Sequence, residues 1–260
     1  MKYMTSDAAG ATASTRPMSS ALKLLRLLDV VGETEDPVRV ADLARTLGAS
    51  RSEVHRHLVT LVAAGWMDRL PDGAYQLTVK AAHLGNAALQ HAGFGERVSA
   101  MLVELSERTG QAVCLAVRDD DATRVVKRAE PGTAAHVTLA LGRRLDLRRG
   151  ATGRVLLAYA EPATVAGLRD RGVSVPTDAE LAEIRARGYA LTPQTTDDGL
   201  AAIAFPVAGR TGEPSVALCA VGPETTFDPL TAREALAGAA TRLSRLTASV
   251  EPGAATPWDS

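Results

Sequence analysis

Two short runs in the chain carry side chains whose types and spacing can do chemistry. The first is Ser50 to Trp66, SRSEVHRHLVTLVAAGW. At about 100° per residue, one face of a helix there carries Ser52, Arg56, Val59 and Ala63, with Glu53 and Thr60 at its edges. The chemistry of that face is hydrogen bonding to base edges. An arginine can bond guanine through two donors, and short side chains let a helix enter the major groove. The second run is Arg148-Arg149-Gly150-Ala151-Thr152-Gly153, which opens a helix. The first amides of a helix lack intrahelical partners and sit at the positive end of its dipole, so a carboxylate is the natural guest. Gly150 and Gly153 are expected to let a bound group approach the backbone, with Arg148 and Arg149 raising the local potential, although either arginine could equally be a solvated surface charge or an oligomer contact. Bond-making chemistry has left little trace. The sequence contains no Gly-x-Ser-x-Gly, no Gly-x-x-x-x-Gly-Lys-Ser/Thr and no His-Glu-x-x-His. Cys219 with His136 could supply a nucleophile and a base; the competing reading of Cys219 is an inert apolar residue in a buried strand.

The flanking sequence predicts what holds the first run in place. Ser50 and Glu53 have capping-box spacing, and Gly65 supplies a left-handed stop. Val54, Leu58, Leu61 and Val62 make one apolar stripe. Taken alone, this could be an ordinary surface helix packed on a core. Upstream, VRVADLARTLGAS predicts a helix from Val40 to Leu47, and Gly48-Ala49-Ser50 has the length of a helix-turn-helix turn. Downstream, WMDRLPDGAYQLT predicts strand, turn and strand, with Pro71-Asp72-Gly73 as the turn of a wing. Ser19 or Ser20 caps a support helix, ALKLLRLLDVVGE. The reading is a winged helix-turn-helix over residues 18–78, after a disordered tail at 1–17 rich in Ala, Thr and Ser.

Residues 79–94 predict an alanine-rich linker helix. From 95 to 252 helices and hairpins interleave. Glu96 to Arg108 is a helix; QAVCLAVR and TRVVKRAE are strands joined at Asp119-Asp120-Asp121; HVTLAL is a possible strand. Helices follow from Ala151, from Glu161 to Arg171, and from a capping box at Thr177 and Glu180 to Gly188. LAAIAFPVA and SVALCAVG are two more strands, a long amphipathic helix closes the domain, and 253–260 is a tail. Without a strict βαβ repeat, the chain reads as α+β, with a C-terminal α/β sensor domain built on a mostly antiparallel sheet.

Bulk properties narrow the class. Of 260 residues, 46% are hydrophobic and 23% charged, so the chain can fold. The formal net charge is −1, and residues 18–80 hold eight cations and eight anions. Any nucleic-acid footprint must therefore be a local stripe. Three of those anions, Glu33, Glu35 and Asp36, cluster in a loop away from the candidate contact face. Two cysteines, both in apolar runs, imply a reducing compartment without a disulfide framework. No apolar run reaches about 18 residues and no signal pattern is present, so a cytoplasmic protein with no membrane partner is expected. No cofactor or metal is expected.

Over about Ser20 to Val250 the chain resembles the IclR family of transcriptional regulators. SRSEVHRHLVTLVAAGW resembles its recognition helix, and DGAYQLT with Leu84-Gly85 its wing and linker. GRRLDLRRGATGRVLLA resembles its pocket loop and helix, and RGYALTPQTTDDGLAAIAFPV and SVALCAVGP its C-terminal strands. The chain departs from the family at Asp146 to Ala151, where Pro-Leu-His-Ala-Thr-Ala is usual, and at Gln194 or Thr195, where glutamate is common. The resemblance implies a homodimer or homotetramer that binds double-stranded operator DNA and a small-molecule effector. It implies DNA contacts at Arg51, Ser52, Glu53 and Arg56, with Arg69 on the wing near phosphate; on the helical wheel Arg51 lies nearer the apolar edge, which points it to backbone phosphate. It implies pocket positions at Leu145, Ala151, Thr152, Thr192, Leu200, Ala202, Cys219 and Val221, most of which plain core packing would also explain. With Arg149 at the helix start, the expected effector is a small organic acid. The competing classes are a hydrolytic or other small-molecule enzyme, and a ligand sensor acting through protein contacts without DNA.

Overall fold

The computed structural model describes residues 17–34, 36–132, 137–192, 199–208 and 214–248. Both expected tails, save Pro17, together with Glu35, His136, Gln194 and Thr195, lie outside the described residues. The chain divides into two compact units, Met1–Ala82 and His83–Ser260.

In the first unit, α1 (Ser19–Gly32), α2 (Val40–Leu47) and α3 (Arg51–Ala63) pack with a hairpin of β1 (Met67–Arg69) and β2 (Tyr75–Leu77). Leu27, Leu43, Val54, Leu58, Leu61 and Met67 are its buried centre. Val62, expected in the α3 stripe, is 37% exposed, because it falls on the flank of the helix rather than under it. Gly48 (φ 61°) ends α2, and the Ala49 amide reaches back to the Ala44 carbonyl at 3.0 Å. The Ser50 hydroxyl accepts the Glu53 amide at 3.2 Å, but the reciprocal half of the expected capping box does not form. The Glu53 carboxylate instead takes Lys23 Nζ of α1 at 2.6 Å, since a charged donor binds it more strongly than the Ser50 amide can. Gly65 (φ 73°) closes α3, and Trp66 donates to the Leu61 carbonyl at 2.8 Å.

Asp72 accepts the Ala74 amide at 3.1 Å in the wing turn. The Arg39 guanidinium grips Asp72 from outside, at 3.0 Å to its carbonyl and 2.6 Å to its carboxylate. Val38 adds a single bridge to Tyr75, which sequence reading did not anticipate. Helix α4 (Val79–His91) follows, with Lys80 donating from its amide to the Thr78 hydroxyl at 3.3 Å. The division between the units falls within α4, and no residue of α4 is buried.

The second unit is a six-stranded sheet in the order β5-β4-β3-β8-β7-β6, antiparallel throughout. Its strands are β3 (Ala112–Asp119), β4 (Ala122–Ala129), β5 (Arg144–Asp146), β6 (Ala190–Leu191), β7 (Leu200–Ala208) and β8 (Pro214–Pro223). The two-residue period of a strand sorts its side chains by size. One face carries Val113, Leu115, Ile203, Phe205 and Leu218 and packs with α5 (Glu96–Thr109) and α9 (Pro229–Ala248). The other carries Ala112, Cys114, Ala202, Ala204, Ala217 and Cys219 and packs with α6 (Ala151–Ala158), α7 (Pro162–Asp170) and α8 (Asp178–Arg187). All eight residues of α6 are buried.

One expected strand is not there. Within HVTLAL, Val137 to Leu141 form none; Leu139 is buried and Val137 packs beside it in the α6-side core. Their alternation reflects burial in an irregular segment. Pairing resumes only after Gly142 (φ 76°), whose amide donates to Val125 at 2.7 Å, and β5 is the edge strand.

Candidate functional site

The helix-turn-helix unit presents an open polar face. Arg51, Ser52, Arg56, Thr60 and Arg69 are exposed. Among the described residues, the guanidinium groups of Arg51, Arg56 and Arg69 make no hydrogen bond or ion pair. Thr60 donates to the Arg56 carbonyl at 3.0 Å and Ser52 shares a 3.1 Å bond with Ser50. Both hydroxyls lie on the surface with capacity left for another partner. Glu53 differs. Its hydrogen bond and ion pair with Lys23 hold its carboxyl below the usual range, so its charge is already engaged inside the unit. Lys80, not singled out from sequence, donates to the Ala64 carbonyl at 2.8 Å and lies 5.1 Å from the Trp66 ring centre. It ties the end of α3 to the start of α4.

In the second unit a cavity of about 390 Å³ lies between β5, the start of α6 and the small-residue face of the sheet. All nine positions singled out from sequence meet there: Leu145, Arg149, Ala151, Thr152, Thr192, Leu200, Ala202, Cys219 and Val221. Cys114, Leu139, Arg143, Arg144, Asp146 and Gly150 complete the lining. The cavity exists because Ala202, Cys114 and Cys219 leave room where longer side chains would fill the space under α6.

One end of the cavity is polar. The Asp146 carboxylate already accepts the Arg148 and Arg149 amides, at 2.7 Å each. The first amide with an i−4 partner in α6 is that of Arg154, which donates to Gly150 at 3.1 Å. The Ala151, Thr152 and Gly153 amides thus precede the helical ladder. Arg144 is held by Asp121 at 2.5 Å. Arg143 is exposed, and its guanidinium makes no hydrogen bond or ion pair among the described residues. The expectation that Gly150 and Gly153 open the backbone to a guest is corrected. A Cβ on Gly153 would sit 2.6 Å from the Leu147 carbonyl oxygen, and one on Gly150 would sit 2.9 Å from that of Asp146. Both glycines make room for the protein's own β5–α6 turn. The Thr152 hydroxyl is likewise taken, by Thr123 at 2.9 Å.

Behind the cavity, Arg154 is buried and spans α6 and α8, with 3.3 Å to the Arg148 carbonyl and 3.1 Å to Glu180. Glu180 also accepts the Thr177 amide and hydroxyl, which with Arg154 bring its carboxyl down to about 2. At the other wall, Cys114 and Cys219 face each other across β3 and β8. A hydrogen bond to Cys114 and burial push the Cys219 thiol up. Sequence separation hid this pair; only the strand register joins them. The arginines at 143 and 144 were missed because the second arginine pair drew the reading, yet Arg148 does not line the cavity.

Two family models match the chain. That of the IclR helix-turn-helix domain covers residues 20–71. That of the bacterial transcriptional regulator IclR C-terminal domain covers residues 86–245. This chain belongs to the IclR family. The HTH-type transcriptional regulator BhcR of Paracoccus denitrificans is 30% identical over 220 residues, 80% of this chain and 77% of its own. The HTH-type transcriptional regulator XynR of Escherichia coli is 29% identical over 203 residues, 73% of this chain and 80% of its own. A solved IclR homolog from Microbacterium hydrocarbonoxydans, complexed with 4-hydroxybenzoate, has a TM-score of 0.72. It is 22% identical and covers 88% of this chain and 99% of its own, a likeness of fold. As an IclR-family member the chain is a helix-turn-helix transcriptional regulator with an effector-binding domain, rather than an enzyme. Its partners are DNA and a small molecule. Among the described residues no helix is long and apolar enough to cross a membrane, and no group of three or more His, Cys, Asp or Glu could hold a metal ion.

Proposed function

We propose that this IclR-family regulator binds a small organic acid in the cavity under α6, and that occupancy changes its affinity for operator DNA. The observation that carries the reading is the cavity's polarity. Arg143, Arg149 and the first amides of α6 lie at one end, and Ala202, Cys219 and Val221 at the other. A carboxylate fits the first end and an apolar or aromatic body the second. The 4-hydroxybenzoate in the Microbacterium hydrocarbonoxydans homolog has that chemistry and supports the assignment. The recognition surface is Arg51, Ser52, Arg56 and Thr60 on α3, with Arg69 on the wing at phosphate. Glu53 acts through Lys23 to orient α3 against α1. The domains are the helix-turn-helix unit, the α4 linker and the effector-binding unit, and the working form is a homodimer or a tetramer of such dimers.

The test is a thermal-shift screen of carboxylic acids against their carboxamides. A ligand at 100 times its Kd stabilises the folded state by about 2.7 kcal/mol. An acid should raise Tm and its amide should not, and the same acid should change a gel-shift on the protein's own upstream DNA. Equal shifts from acid and amide would remove the anion assignment.

A further inference from the structure

We infer that Cys114 and Cys219 form a dithiol modification site inside the cavity, where a small neutral two-electron oxidant joins them in a reversible disulfide. The two residues are direct partners in the β3–β8 register. Antiparallel partners have Cα atoms about 4.5–5.5 Å apart. A disulfide spans Cα separations of about 4.4–6.8 Å, so neither strand has to move far. As direct partners the two side chains stand on the same face of the sheet, and among the described residues the Cys219 thiol is otherwise engaged only by the Ala220 carbonyl at 3.5 Å. Both are buried, and both line the cavity, so the cavity is the route by which a reagent reaches them. These are the chain's two cysteines, so no third thiol competes for the bond.

The chemistry balances with an azodicarboxamide as the oxidant. One thiol adds across the N=N bond, its sulfur bonding one nitrogen and its proton passing to the other. The second sulfur then attacks the first, the S–N bond breaks, and the hydrazine leaves with the second proton. The two sulfurs lose two electrons in all and the azo group gains them. The apolar wall of Ala202 and Val221 favours a neutral reagent over a charged one. The product is a cavity floor without thiol hydrogens, drawn together where the apolar body of a ligand would lie. Oxidation and ligand occupancy should therefore exclude each other. This last consequence rests on the proposed function; the disulfide itself rests on the register and the cavity alone.

The test uses the full chain with diamide, followed by intact mass and thiol titration after denaturation in acid. The expected result is a monomer that has lost two hydrogens, has no titratable thiol, and regains both on reduction with dithiothreitol. Cys114→Ala and Cys219→Ala should each abolish the loss of two hydrogens. Should either variant fail to fold, a tryptic map of the oxidised wild type must still show the cross-linked peptide pair. Two free thiols after diamide, or cross-linking only between chains, would overturn the inference. If the disulfide forms but an acid identified by thermal shift does not slow it, the mutual exclusion is wrong and the dithiol site stands.

Discussion

Arg56 and Arg69 are both exposed and unpaired among the described residues, yet their places predict different losses. Arg56 projects from the middle of the α3 face, where base edges would lie. Arg56→Ala should cost on the order of 1–3 kcal/mol at one operator position and relax the preference there. Arg69 ends the first strand of the wing. Arg69→Ala should weaken all sequences about equally and reduce the salt slope by about one. Competition binding on single-position operator variants at several salt concentrations separates the two. Glu180 gives a residue-scale prediction about stability. Its bonds to Thr177 and Arg154 hold its carboxyl at about 2, against an ordinary 4.5 for a glutamate. A depressed carboxylate contributes stability that is present above about pH 4.5 and lost as pH falls toward 2. Glu180→Ala should therefore cost on the order of 1 kcal/mol at neutral pH, as the loss of a cap does, and the difference should shrink below pH 4. Urea unfolding of both proteins across that range checks it.

At the scale of elements, α6 opens with Ala151 and Thr152, both of which line the cavity. Its Gly153 faces the Leu147 backbone, so Gly153→Ala forces a methyl against a segment that cannot move as a side chain can. Overpacking of this kind costs about 1–3 kcal/mol. The substitution should lower Tm and reduce any ligand-induced shift together, whereas Gly167→Ala, in open space on α7, should change neither by much. Which elements were legible in the sequence follows from where their causes lie. The turns ending α2 and α3 are local: Gly48 and Gly65 adopt positive φ because the helix stop needs it, and a glycine announces that. The Thr177 box formed in full because both of its partners lie within one turn. The Ser50 box formed by half because a competitor, Lys23, came from 30 residues away. Strands β5 and β6 have three and two residues, too short to show a period, and exist only because β4 and β7 offer edges. The cavity was legible in part. Its α6 end is one continuous run, but Cys114 and Cys219 meet through a register that no local pattern encodes.

At the scale of the whole molecule, charge decides how the protein must read DNA. A net charge of −1 gives little long-range attraction to phosphate, so binding has to rest on local cations such as the proposed phosphate contact Arg69 together with base contacts. One α3 of 13 residues carries Arg51, Ser52, Arg56 and Thr60, the contacts proposed for a groove. A good bidentate base contact gives about 1–3 kcal/mol of discrimination, and with Arg56 as the one arginine proposed for base edges, one such helix falls short of the roughly 4–10 kcal/mol by which regulators favour their specific sites. Two copies of the helix on one operator supply the rest, which is the energetic reason for the proposed dimer. Its two α3 helices must then meet grooves on one face of the duplex, with half-sites about 34–36 Å apart or a multiple of that. Footprinting should show two protected half-sites related by inversion or repetition. Inserting about five base pairs between them, half a helical turn, should cost most of the affinity, and inserting a full turn should restore a large part of it. Protection of one isolated half-site by monomeric protein, with affinity indifferent to the insertion, would refute the paired reading while leaving the α3 contacts in place.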